Sequence, residues 1–167
     1  KDKGGDPRTE AAAAAMLGWL TEDFVPADLQ PNVKRFLGKV VAPRAHELGW
    51  QAKATDSTGT RELRATLLGA LTDLGDDPKF FAEADALAKK WLDDPNALEP
   101  DSVDLVLRVM AGRGDRKLLD RLAEMLKKET DSRRRDRLVG AFGGFRDPAL
   151  VKAGLGLYLD PALDPRV

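Results

Sequence analysis

A turn of fixed chemistry, recurring three times between leucine-rich stripes, constrains this chain more than anything else in it. Asp77 stands before Pro78, Asp115 follows Gly112-Arg113-Gly114, and Asp147 stands before Pro148, at spacings of 38 and 32 residues. An aspartate in this place caps a helix by accepting backbone N–H groups, and a proline at the first helical position forfeits no hydrogen bond. Apolar residues at helical spacing flank each turn. Leu63, Leu67, Leu68, Leu71 and Leu74 precede the first, and Phe80, Ala84, Leu87, Ala88 and Trp91 follow it. Val103, Val106, Leu107 and Met110 precede the second, with Leu118, Leu119, Leu122, Met125 and Leu126 behind it. Leu138, Val139 and Phe142 precede the third, with Leu150, Val151, Leu155 and Tyr158 behind. A helix pair repeated at this period buries its faces only by stacking on its neighbours.

The expected fold is therefore all-α, a HEAT/armadillo-like α-α superhelix of stacked antiparallel helix pairs, with three pairs over residues 60–160. Composition agrees: leucine and alanine dominate, isoleucine is absent, and valine and threonine are sparse, which favours helix over strand. A length of 167 residues allows one domain, placed at 9–167, behind a flexible arm at 1–8. Residues 9–50 read as opening helices. One starts at Thr9 and carries Met16, Leu17 and Leu20. A connection over 21–32, with a short turn at 27–30, leads to a second with Val33, Phe36, Leu37, Val40, Val41 and Leu48. Pro43 should kink that helix, lacking the donor for the bond to residue 39, and Gly49 ends it. Residues 50–59 form a polar loop. The tail from Leu159 holds Pro161 and Pro165 and no polar capping helix, and the chain opens on Lys1 rather than Met. Both features lead to the expectation that the chain is cut from something larger and truncated at its C-terminal end.

The side-chain inventory excludes several chemistries. There is no cysteine and a single histidine, His46, so a thiol nucleophile, a Cys-type zinc site and a two-histidine HExxH site cannot be assembled from this chain alone. No GxSxG elbow accompanies His46, and its place beside a kinked apolar helix reads as a packing or surface residue. With 27 basic against 28 acidic residues there is no basic excess to hold nucleic acid. No apolar run reaches the roughly 18 residues that a membrane span needs. No catalytic and no metal-ligating residue is expected.

Other residues carry a family likeness. Leu48-Gly49-Trp50, Arg64-Ala65-Thr66-Leu67-Leu68-Gly69-Ala70-Leu71 and Leu74-Gly75-Asp76-Asp77-Pro78 come first, followed by Trp91-Leu92-Asp93-Asp94-Pro95, Arg113-Gly114-Asp115 and Ala141-Phe142-Gly143-Gly144-Phe145-Arg146-Asp147-Pro148. In that order they resemble the C-terminal helical domain of aminopeptidase N-like zinc metallopeptidases, the domain also found in the endoplasmic-reticulum aminopeptidases. The likeness covers roughly residues 10–163. It implies a parent enzyme whose upstream thermolysin-like domain carries HExxH, a third zinc ligand and a Gly-x-Met-x-Asn motif. None of these is present here, so zinc is expected only in that absent catalytic domain. The resemblance further implies that this domain walls an enclosed peptide chamber and restricts access to it, with the catalytic domain as partner and peptide at the concave face.

If the second helix of each pair lines that face, Arg121, Lys128 and Lys152 are the residues to meet a peptide carboxylate. The three tryptophans, Trp19, Trp50 and Trp91, read as core anchors. Charge is uneven: residues 73–104 hold ten acids and three bases, and residues 113–137 hold ten bases and six acids. Arg133-Arg134-Arg135-Asp136-Arg137 opens its helix with positive charge against the macrodipole, which asks for an Asp131 cap and a compensating partner. A solvated face and a docking patch for an acidic surface are the two readings of that cluster. A chamber wall should also present an apolar docking edge, placed on the helices of residues 11–20 and 33–48. The competing function class is a free-standing adaptor that binds a protein in its concave groove. A soluble bacterial, cytoplasmic parent is the expectation for source and compartment.

Overall fold

The computed structural model describes residues 6–16 and 25–160, and among them finds nine helices and no strand. They are α1 (Pro7–Ala15), α2 (Gln30–Val40), α3 (Ala42–Leu48), α4 (Thr58–Leu74), α5 (Pro78–Asp93), α6 (Pro100–Gly112), α7 (Arg116–Lys128), α8 (Ser132–Phe142) and α9 (Pro148–Tyr158). The all-α expectation holds. The chain divides into two compact units, Lys1–Phe80 and Phe81–Val167.

In the first unit α1, α2 and α3 each pack on α4. The side chains that close this core are Leu37, Val41, Ala45, Leu48, Leu63, Leu67, Leu68 and Leu71, all nearly inaccessible. The Trp50 and Phe80 rings stack at 4.5 Å between centroids with a 31° tilt. Ser57 caps α4 by accepting the Thr60 N–H at 3.1 Å. Pro43 does more than kink a helix. With no N–H to continue the ladder, the chain turns at Val41 and a new helix starts, with Pro43 in its first turn. Gly49 ends α3 at φ 69°, as its place in the sequence suggested.

Helix α1 starts at Pro7, two residues before the expected Thr9. Asp6 supplies the reason: its carbonyl accepts the Glu10 N–H at 3.0 Å and its carboxylate the Thr9 hydroxyl at 3.1 Å. Asp6-Pro7 thus repeats the Asp-Pro signature of the later turns. Met16, expected on an apolar stripe, is 71% exposed; Leu17, Trp19 and Leu20 lie outside the described residues.

In the second unit α6 packs on α8 and α7 on α9, while α7 meets α8 and α8 meets α9. First helices neighbour first helices, and second neighbour second. Val103, Val106, Leu107, Leu119, Leu122, Leu126, Leu138 and Phe142 fill the space between them. The turns are caps, as their aspartates predict. Asp115 accepts the Leu118 N–H at 3.0 Å, and Asp147 accepts those of Ala149 and Leu150 at 2.8 and 3.1 Å. Gly144 allows the α8–α9 turn to lie on the backbone of α6. A Cβ there would stand 2.8 Å from the Arg108 carbonyl oxygen and 3.0 Å from the Ala111 methyl. Gly114, in the α6–α7 turn, is under the same constraint from the Leu118 side chain and the Phe145 ring. The glycines of both motifs therefore answer to close packing of successive turns.

Candidate functional site

The three cations expected to face a peptide sit on two neighbouring helices. Arg121 and Lys128 are seven residues apart on α7, so they fall on one side of it about 10 Å apart along the axis. Lys152 is on α9, which packs on α7. Lys128 and Lys152 are exposed, and Lys128 lies in the last turn of α7, where positive charge meets the negative end of the macrodipole. Arg121 is held within the unit. Its Nη2 donates to the Asp93 carboxylate at 2.8 Å and to the Leu92 carbonyl at 3.5 Å, which ties α7 to the end of α5.

The arginine cluster of α8 is occupied in the same way. Asp131 caps the helix by accepting the Arg134 N–H at 2.9 Å. Arg134 donates to the Asn96 side-chain oxygen at 2.8 Å. Arg135 donates to the carbonyls of Leu126 and Glu129 at 3.2 and 3.1 Å, closing the end of α7. Arg137 lies 3.5 Å from the Asp104 carboxylate and donates to the Pro100 carbonyl at 3.4 Å. The compensating partner is thus the unit's own acidic stretch and helix ends. Arg121 on Asp93 belongs to the same pattern, so the basic segment folds back on the acidic one. Arg134, Arg135 and Arg137 are thus engaged within the unit, while Arg133 and Asp136 of the same cluster are exposed.

His46 meets Asp77 at 2.7 Å through Nε2, both side chains being about four-fifths buried. The other oxygen of Asp77 accepts the backbone N–H groups of Lys79 and Phe80 at 2.9 and 3.1 Å. One carboxylate therefore caps the backbone at Lys79 and Phe80 and joins that end of the first unit to His46 of α3. Burial pushes the Asp77 carboxyl up, but the hydrogen bond from His46 and those from the Phe80 and Lys79 N–H groups together hold it below the ordinary carboxylate range. A lowered folded value means that the unfolded chain takes up the proton first as pH falls. Asp77 stabilises fully above its unfolded value near 3.9 and loses that contribution as pH falls through the folded value. His46→Ala is expected to cost about 1–2 kcal/mol at neutral pH in urea unfolding, and Asp77→Asn to flatten the acid limb of stability against pH.

No group of three or more His, Cys, Asp or Glu side chains that could hold a metal occurs among the described residues. Nor is any helix among them long and apolar enough to cross a membrane. Trp50 and Trp91 are 7% and 1% exposed, which places both in the core, as expected; Trp19 lies outside the described residues. Sequence reasoning missed the internal arginine clamps, because each guanidinium reaches a group 6–38 residues away with no local signature.

Residues 9–166 match the ERAP1-like C-terminal domain family, and the chain belongs to it as a C-terminal domain of the M1 aminopeptidases. It is 30% identical over 143 residues to Aminopeptidase M1-C of Oryza sativa subsp. japonica, covering 83% of this chain and 16% of that protein. It is 26% identical over 125 residues to Aminopeptidase 2 of Candida albicans, covering 74% of this chain and 13% of the relative. To the mitochondrial Aminopeptidase 2 of Saccharomyces cerevisiae it is 24% identical over 151 residues, 85% of this chain and 15% of the other. The chain thus spans about one-seventh of the length of these relatives. They come from fungi and rice, and give the expectation of a bacterial source no support.

Proposed function

We propose that this chain is the non-catalytic C-terminal domain of a zinc-dependent aminopeptidase, and that it walls the peptide chamber and restricts which substrates enter. The observation that carries this is the family match across residues 9–166, set against relatives that are aminopeptidases of which the matched segment covers 13–16%. The fold reading is a HEAT-like stack. The pairing of α6 with α8 and of α7 with α9 is what stacked helix pairs produce. In this arrangement α7 and α9 present Arg121, Lys128 and Lys152 to the distal end of a bound peptide, and the catalytic domain of the same polypeptide, with its zinc, performs the cleavage in a cytoplasmic enzyme.

The test has two parts. The purified chain with added zinc should hydrolyse an aminoacyl reporter no faster than buffer, and turnover that survives purification would sink the non-catalytic reading. In the complete polypeptide, Lys128→Glu with Lys152→Glu should lower kcat/KM for long peptides by about fivefold, equivalent to ~1 kcal/mol, and leave the short reporter unchanged. Equal effects on both substrates would remove these lysines from the peptide path. Arg121→Glu is the less clean variant, since it sets a carboxylate beside Asp93.

A further inference from the structure

Isolated exposed apolar side chains are ordinary, but α2 exposes a periodic set. Leu29 at its N-cap and Phe36 are each 46% exposed, and Val40 is 57% exposed. At 100° per residue the three lie within about 40° of one another, so they form one strip along the helix while Leu37 points into the core. The turn before the helix continues the same spiral: Leu29 is helical at φ −93° and ψ −16°, and the Gln30 N–H donates to the Pro26 carbonyl at 3.2 Å. Asp28, Arg35 and Lys39, all exposed, consequently share one flank of the strip, again within about 40° of one another. The acid stands at the N-terminal end of that flank and the lysine at its C-terminal end. Lys34, half-buried, lies on the far side of Leu37.

We propose that the strip of Leu29, Phe36 and Val40 is a self-association surface, on which two copies of this chain meet through antiparallel α2 helices. The inference goes beyond the proposed function and does not depend on it. The order of charges selects the occupant. A two-fold axis perpendicular to α2 sets the patch against itself with its direction reversed, so the acidic end of one flank meets the basic end of the other. At 1.5 Å per residue, setting Leu29 opposite Val40 of the second copy brings Asp28 within about 3 Å, along the axis, of Lys39 of that copy. Symmetry forms this pair twice, and the two Phe36 rings come within about 4.5 Å of each other along the axis near the centre. Arg35 opposes the contact: it falls nearly level with its own counterpart, although it stands farthest round from the strip. A helix of 11 residues per copy makes an interface at the low end of the size range, so the association is weak and reversible.

Sedimentation equilibrium of the 167-residue chain tests this. A monomer–dimer dissociation constant on the order of 100 μM to 1 mM is expected for so small a contact, tighter at low salt where the charge pairs are least screened. Phe36→Ser should weaken association about tenfold or more and leave the urea midpoint in place, since the ring is half-exposed. Asp28→Lys and Lys39→Asp should each weaken it about tenfold, because each turns two attractions into two repulsions. An equimolar mixture of these two variants should associate within about threefold of the parent chain, since each then offers the charge that the other lacks. Arg35→Gln should tighten the dimer about twofold. Monomer at every concentration would overturn the proposal and leave the strip to a different partner. A dimer indifferent to Phe36→Ser would place the contact elsewhere and overturn it too. So would a mixture of the two charge variants that stays as weak as its components, because only the antiparallel contact sets residue 28 against residue 39.

Discussion

Replacing Arg64 by methionine is expected to lower the stability of the first unit by about 3 kcal/mol, the low end of what breaking a buried ion pair costs. The Arg64 and Asp56 side chains are only 6% and 10% exposed and meet at 2.5 Å. Arg64 also donates to the carbonyl of Leu48, the last residue of α3, at 3.4 Å through Nε and 3.5 Å through Nη2. Removing the guanidinium leaves a buried carboxylate and a helix-end carbonyl to find other partners. The Asp56 carboxylate keeps one, the Lys53 N–H at 2.6 Å, which is why the low end of the range applies. Arg64→Lys should rescue little, because a single ammonium cannot reproduce a planar fork that serves both Leu48 and Asp56. Asp56→Asn should cost less than Arg64→Met, since the amide oxygen still accepts hydrogen bonds. Urea unfolding of the three variants decides the matter. A loss below about 1 kcal/mol for Arg64→Met would place the pair with surface salt bridges.

The same pair shapes the acid response. The Lys53 N–H lowers the Asp56 carboxyl most, burial opposes it, and Arg64 adds to the lowering, so the folded value lies below the ordinary one. The stabilisation is therefore complete above about pH 3.9 and is lost as pH falls through the folded value. Asp77 acts in the same direction in the same unit. Acid should thus loosen the first unit through two carboxylates that hold loop and helix ends, while its apolar core is unaffected by pH.

What the sequence disclosed and what it withheld divide along the range of the interactions. Asp115 and Asp147 cap helices two or three residues ahead of them, so a short motif reports them. The Asp6-Pro7 start of α1 carried the same signal, masked by the glycines before it. Pro43 announced a disturbance but not its size, because whether a helix bends or breaks depends on what the flanking turns pack against. Arg134 and Arg121 reach Asn96 and Asp93 across 38 and 28 residues, and charge runs alone cannot say whether opposite stretches will meet. The strip on α2 shows the converse limit. Its apolar period marks a face that water disfavours, yet the same pattern serves a helix buried in its own domain and one covered by another. Only the fold, by placing Leu37 inside and Phe36 outside, separates the two.

Trp91→Ala should cost about 3–5 kcal/mol, the range for removing a fully buried large aromatic side chain. Against the roughly 5–15 kcal/mol of a typical domain, that threatens the second unit as a whole. Trp91 is 1% exposed on α5 and is the largest fully buried side chain among the described residues. Its indole Nε1–H is buried without a hydrogen-bond partner among the described residues, an arrangement that costs about 1–3 kcal/mol on its own. The two terms oppose each other in Trp91→Phe: volume is lost, but the orphaned donor goes with it. That variant should therefore lose much less than the cavity alone would take, and less than half of the Trp91→Ala cost. Denaturant midpoints for the two variants, read by circular dichroism so that loss of the indole fluorophore does not matter, separate the terms. Equal losses would mean that the indole N–H is satisfied and the residue serves by volume only. A near-neutral Trp91→Ala would mean that the site collapses onto its neighbours, and that the second unit is held by α6 to α9 without the end of α5.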